Sequence, residues 1–250
     1  MRFTQDLRFA HSIKRLFMLC GIFIIMFAGV GMAEFWDTKL YDEWNQKEVD
    51  KMLSDSPWAK ELNLQSAAGS FSSSAMDNQP PYVKYTVQLR SVPLVRQGVI
   101  RRAQLTVKYD AFSETEKIAF DQRMEPILFG YDPEYVVVHV SFDTNQRDYL
   151  RDLLRHWETQ STEMLQNSVF LRGGSRGKQI PILQYIPGEM NSQEFQFIFP
   201  REVDGSEVLK ADDKVLRLEF SYPQIGRLGD GRGFLEFRTD RMKVNDETVY

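Results

Sequence analysis

Gly173-Gly174-Ser175-Arg176-Gly177 matches the pattern G-x-S-x-G. Hydrolases use that turn to lift a serine above a sheet, between a strand and a helix. A strand-like run, SVFLR, precedes the turn, but Lys178-Gln179-Ile180-Pro181 leads into another strand. That fold orders its partners serine, acid, histidine, and no histidine follows His156. Ser175 is therefore expected not to be a nucleophile. Ser175-x-x-Lys178 has the spacing of serine–lysine acylases, which place the pair at a helix start and add K-T-G on a strand. Neither feature is present. A phosphate-binding P-loop fails as well, because three residues rather than four separate Gly173 from Gly177, and Gln179 replaces Ser or Thr. The loop reads as a glycine-rich hairpin turn carrying exposed basic residues.

The other chemistry-bearing residues are sparse. His139 sits mid-strand and His156 lies beside Trp157, with no H-x-x-x-H or similar spacing, so each reads as a structural histidine and no metal site is expected. Asp143-Thr144-Asn145 starts like a calcium loop but lacks its glycine and final glutamate. Asp204-Gly205-Ser206 reads as a turn, not as an aspartic-protease motif. The 35 acids offer many carboxylate pairs for glycoside hydrolysis, and sequence alone selects none of them. No catalytic residue and no cofactor is assigned.

The first 33 residues differ from the rest. Arg2, Arg8, Lys14 and Arg15 form a basic region, Leu16 to Val30 is apolar throughout, and Gly31-Met32-Ala33 supplies small residues before Glu34. This is the layout of a secretory signal peptide over 1–33. Export to the periplasm or beyond is expected. The alternative is an uncleaved anchor in the inner membrane over residues 16–33, since about 18 apolar residues can just span a bilayer. Cys20 follows Leu19, where a lipobox needs a small residue, so no lipoprotein is expected. Cys20 is the only cysteine, so the chain after Ala33 can form no disulfide. Removing a segment of charge +3 from a chain of net −4 leaves about −7. Such acidity disfavours nucleic acid, whose phosphates bind cationic surfaces.

The elements that would position any site can be traced by pattern. Residues 34–62 form a segment with a helix at its centre. Asn45 caps it, Glu48 completes a capping box, and Trp44 with Val49 forms a hydrophobic staple. Val49, Met52 and Leu53 make one apolar stripe. Pro57 stops the helix near Asp55, and Trp58 follows at once. These residues, Trp44, Val49, Met52, Leu53, Pro57 and Trp58, are the candidate docking or interaction set, with docking on the chain's own main domain expected.

Residues 63–81 are rich in Ser, Ala, Gly and Pro, which suits a linker or long loop. An α+β domain over 82–250 follows. YVKYTVQLR alternates as a strand with one buried face. A helix runs from Pro93 to about Val107. A Ser113–Glu116 capping box opens another, expected to end by Pro126. YVVVHVSF reads as a central strand. Asp143 or Thr144 is expected to cap the longest helix, with Leu153, Leu154 and Trp157 on its core face. Past Gln166 the pattern turns to period two, in short strands between Gly, Asp, Asn and Pro. Helices on one face of a mostly antiparallel sheet, with a strand-rich C-terminal half, is the expected fold class.

WNQKEVDKMLSDSPWAK, LRSVPLVRQGVIRRA and FIFPRE, with the late FRTDRMKVND, resemble a family of uncharacterised exported bacterial proteins. That family carries a W-x-x-K helix ending in SPWA, a strand-to-helix element and an F-x-FPR strand. Trp44, Lys47, Leu53 and Ser56 to Ala59 match the first. Ser91 and Arg101 fit the second, with Gly98 in place of the usual alanine. Phe197 and Phe199 to Arg201 fit the third. The resemblance implies a shared fold and export, and brings no activity with it.

Two functions fit this sequence best: a non-enzymatic structural or interaction module with an envelope protein partner, or an exported hydrolase acting on glycan or peptide through paired carboxylates. A third is binding of a small ligand.

Overall fold

The structure is a computed structural model that describes residues 34–65, 80–174, 177–244 and 247–250. The signal segment with Cys20, most of the 63–81 linker and Ser175 lie outside the described residues. The chain divides into two compact units, Met1–Lys39 and Leu40–Tyr250. The described part of the first holds the single helical turn α1 (Phe35–Thr38), where the Phe35 and Trp36 rings meet edge to face at 4.8 Å. Among the described residues no helix is long and apolar enough to cross a membrane.

The second unit begins with α2 (Gln46–Ser54), β1 (Ala59–Gln65), β2 (Tyr82–Leu89), α3 (Pro93–Val107) and α4 (Glu114–Phe129). β3 (Tyr135–Thr144), α5 (Arg147–Glu158) and the short α6 (Thr162–Leu165) come next. Strands then dominate: β4 (Val169–Gly173), β5 (Ile180–Pro181), β6 (Gln184–Pro187) and β7 (Glu194–Pro200), and after them β8 (Glu202–Val203) and β9 (Ser206–Glu207). The last are β10 (Val215–Tyr222), β11 (Gly231–Arg238), β12 (Lys243–Val244) and β13 (Glu247–Thr248). The class is α+β, and every strand pair among the described residues is antiparallel. One sheet has the order β1-β2-β3-β7-β6 and a second β11-β10-β4-β5, with two small ribbons, β8-β9 and β12-β13.

Strand periodicity sorts the first sheet into two faces. Val83, Tyr85 and Val87 share a buried face with Val136, Val138 and Val140 and with Phe195, Phe197 and Phe199. Trp157 of α5 stacks on Phe195 at 4.2 Å, and Phe220 of β10 meets Tyr85 edge to face at 5.5 Å. The second sheet and α5 thus close this aromatic core together. Gln88 leaves the opposite face, and its amide donates to Leu53 O at 2.6 Å, which ties the end of α2 to that side.

The capping boxes form as the sequence dictates. Glu48 N–H donates to Asn45 Oδ1 and Asn45 N–H to Glu48 Oε2; Ser113 and Glu116 do the same on α4. The stripe of Val49, Met52 and Leu53 is buried. A Cβ added to Gly98 of α3 would lie 3.0 Å from Met52 Cγ and 3.2 Å from a Leu53 methyl, so glycine lets the two helices approach closely. Arg101 of α3 completes the joint, donating from Nε to Trp44 O at 2.8 Å.

Trp58 is fully buried, and its indole N–H donates to Val249 O at 2.8 Å. Its backbone N–H is held by the Ser56 hydroxyl, and its carbonyl accepts from Leu89 N–H. Arg201 of the FPR stretch reaches the neighbouring residue, donating to Tyr250 O at 2.6 Å with its guanidinium 4.3 Å from the Tyr250 ring centre. The SPWA and FPR residues therefore pack α2, the first sheet and the Val249–Tyr250 segment against one another.

Four expectations are corrected. Residues 59–65, assigned to the helix segment and the linker, form β1, because Leu62 and Leu64 pair in register with Tyr85 and Val83. The α4 helix does not end by Pro126 but runs to Phe129. Gly130 N–H bonds Pro126 O at 2.8 Å and Arg96 Nε bonds Leu128 O at 2.9 Å, so the last turn is held despite the missing donor. Neither Asp143 nor Thr144 caps α5. β3 continues through Thr144, whose hydroxyl donates to Tyr82 O and accepts from Gln146 N–H. Nor is α5 the longest helix, with 12 residues against 16 in α4.

Candidate functional site

The face of the first sheet opposite the aromatic core carries side chains that a sheet does not need. Register places Gln88, His139 and Gln196 abreast on β2, β3 and β7, and Ser141 beside Glu194 one pair along. Arg90 follows β2 immediately, and its backbone N–H bonds Val137 O at 2.7 Å. Gln88, Arg90, His139, Ser141 and Glu194 line a cleft of about 340 Å³, together with Arg102 of α3. Arg102 lies 3.5 Å from Asp50 of α2.

Inside the cleft, His139 is 7% exposed and its Nε2 lies 3.2 Å from Glu194 Oε2. Burial pushes the imidazole below its ordinary pKa, with the Glu194 bond opposing that shift and the Arg90 charge adding to it. The bond from His139 lowers Glu194 in turn, helped by the charges of His139 and Arg90. A neutral imidazole donating from Nε2 leaves Nδ1 as an acceptor. Arg90 donates from Nε to Gln88 Oε1 at 2.9 Å. Its two terminal nitrogens have no hydrogen-bond partner among the described residues. Desolvation pushes the guanidinium down to about 10, so it stays cationic at neutral pH. A charge withdrawn from water without a bonded counter-ion is costly, and such sites cluster where ligands bind.

A second cleft, of about 520 Å³, lies beside the glycine-rich loop. It gathers Asp204, Glu207, Asp212 and Asp213 with Lys178 and Lys210. Asp213 is occupied as a turn cap, accepting from Lys210 N–H at 2.9 Å, and Lys178 faces Asp204 at 3.6 Å. The loop does join two paired strands, β4 and β5, rather than a strand and a helix. Among the described residues no group of three or more His, Cys, Asp or Glu is placed to hold a metal ion.

The sequence-derived docking set has a different fate. Trp44, Val49, Met52, Leu53 and Trp58 are buried, and Pro57 turns the chain between α2 and β1. His156 is half-buried against the Trp157 ring, and burial lowers its pKa. His139, read from sequence as structural, has its partner but opens onto a cleft. Arg90 and Glu194 were not singled out in the sequence. The available signal was His139, a polar residue in an otherwise valine-rich run; Gln88 lies on the polar side of its strand's alternation and gave none.

No family model matches the chain, and searches of the curated proteins and of the solved structures found no match.

The titration of this site has a sign. A histidine whose folded pKa is depressed takes up protons on unfolding. His139 and His156 therefore contribute stability that is full above their free value of 6.5 and is lost as pH falls through the lowered folded values. Glu194, also lowered, adds a loss at still lower pH, below its free value of 4.5. The thermal midpoint is expected to fall between pH 7 and pH 5. His139→Gln, which retains a donor toward Glu194, should flatten that fall. Melts across pH check this; an identical slope in the variant would place the titration elsewhere.

Proposed function

We propose that the chain is an exported, non-enzymatic interaction module of the bacterial envelope, and that its working surface is the Arg90–His139–Glu194 cleft. Export is supported by the basic region, the apolar run and Gly31-Met32-Ala33. Kinship with the exported family belongs to the same proposal and rests on the SPWA and FPR residues. The single observation that carries the functional part is Arg90. Its fork of two terminal nitrogens has no hydrogen-bond partner among the described residues, and it lines the cleft beside a sheet whose other face is packed. A preorganised donor pair of this kind suits an anionic group brought by a ligand. The hydrolase alternative needs two carboxylates across a substrate; among the described residues Glu194 is the one carboxylate lining this cleft, so that alternative would have to act in the cleft of Asp204, Glu207, Asp212 and Asp213 instead.

Both parts are testable. The N-terminal sequence of protein recovered from the envelope is expected to start at Glu34; Met1 in a membrane fraction would establish the anchored alternative. A small-molecule filtrate of envelope extract should raise the thermal midpoint of the purified protein, because a ligand that binds only the folded state stabilises it. Arg90→Met should abolish that rise. A rise that persists in the variant would move the working surface away from this cleft.

A further inference from the structure

We infer that the ligand of this cleft is a small polar carboxylate, gripped by the Arg90 guanidinium fork beside Glu194. This rests on the cleft being the working surface, and adds the chemical class of its occupant. Three features select it. The two free nitrogens of Arg90 present parallel donors on one plane, which matches the two coplanar oxygens of a carboxylate. Glu194 stands in the same cleft, held deprotonated by the His139 bond. With Arg90 and Arg102 against the one carboxylate of Glu194, the cleft carries a net single positive charge, which a monoanion balances and a phosphate dianion exceeds, although both fit an arginine fork. The third feature is size and polarity. At about 340 Å³ the cleft sits at the small end of ligand sites, and Ser141, His139, Ser192 and Gln193 line it beside Arg90 as polar groups. A small acid carrying hydroxyl or amide groups is accommodated; a fatty acid is not.

Arg102 has a distinct part. It lines the cleft, is exposed and is already shared with Asp50. It steers an anion by charge rather than holding it, so its removal should weaken binding less than that of Arg90 and mainly at low salt.

Titration calorimetry on the purified protein tests the class. The probes are galacturonate, lactate and N-acetylalanine, with galactose and galactose 6-phosphate as matched neutral and dianionic controls. At least one carboxylate is expected to bind, galactose not at all, and the phosphate more weakly than galacturonate. Arg90→Met should remove binding. Arg90→Lys, which keeps the charge and loses the fork, should weaken it roughly tenfold or more. Circular dichroism melts of both variants show whether the fold survives. Equal binding of galactose, stronger binding of the phosphate, or unchanged carboxylate affinity in Arg90→Lys would overturn the inference. If no carboxylate binds while the filtrate still raises the midpoint through Arg90, the carboxylate class is wrong and the cleft stands. If the filtrate effect also ignores Arg90, the functional proposal itself fails.

Discussion

Trp58→Ala is expected to cost about 3–5 kcal/mol of folding free energy. The indole is fully buried, so its removal leaves a cavity as well as lost apolar contact. The substitution also strips Val249 O of its donor, at about 1 kcal/mol more. For a unit of this length the midpoint should drop on the order of 10 °C. Trp58→Phe keeps most of the volume and loses the N–H, so it should cost about 1 kcal/mol. Thermal melts of the two variants separate packing from hydrogen bonding. If Trp58 were instead an anchor for another protein, as tryptophans at interaction surfaces often are, Trp58→Ala would leave the midpoint unchanged and abolish a complex.

Arg172→Met is expected to be as damaging, at about 3–5 kcal/mol, for an electrostatic reason. Glu219 of β10 is 2% exposed, an uncommon place for a charge. The Arg172 guanidinium of β4 pairs with Glu219 Oε1, and Gln179 Nε2 donates to Oε2 at 3.0 Å. Removing the arginine strands a buried carboxylate. Removing both partners, as Arg172→Met with Glu219→Leu, should restore most of the loss, because the pair's desolvation cost vanishes with it. Urea unfolding of the single and double variants measures the coupling. A single variant within about 0.5 kcal/mol of wild type would show that the ion pair is solvated and contributes little.

These residues show which features can be read from the chain. The capping boxes, the Val49–Met52–Leu53 stripe, the alternation of β2 and the central position of β3 are local patterns, and they stand in the structure as expected. Trp58 packing followed from burial energetics alone. β1 was harder, since KELNLQ alternates over only a few residues and adjoins a serine-rich stretch. Glu219 reads as the solvent side of β10, yet it is buried and bonded to Arg172 and Gln179, both distant in the chain. The cleft was illegible for the same reason. Gln88, His139 and Glu194 come from three strands and meet only through register, and Arg102 arrives on α3, near Asp50 of α2. No spacing in the chain encodes that meeting.

The SPWA segment is packed into the fold, and the proposed working surface is the Arg90 cleft. Native mass spectrometry of protein recovered from the envelope tests this division most directly, run on wild type, Trp58→Phe and Arg90→Met. The expected result is a small-molecule adduct on wild type and on Trp58→Phe, and none on Arg90→Met. An adduct that survives Arg90→Met would contradict the proposed cleft, and a protein partner lost with Trp58→Phe alone would place the functional surface on the SPWA helix.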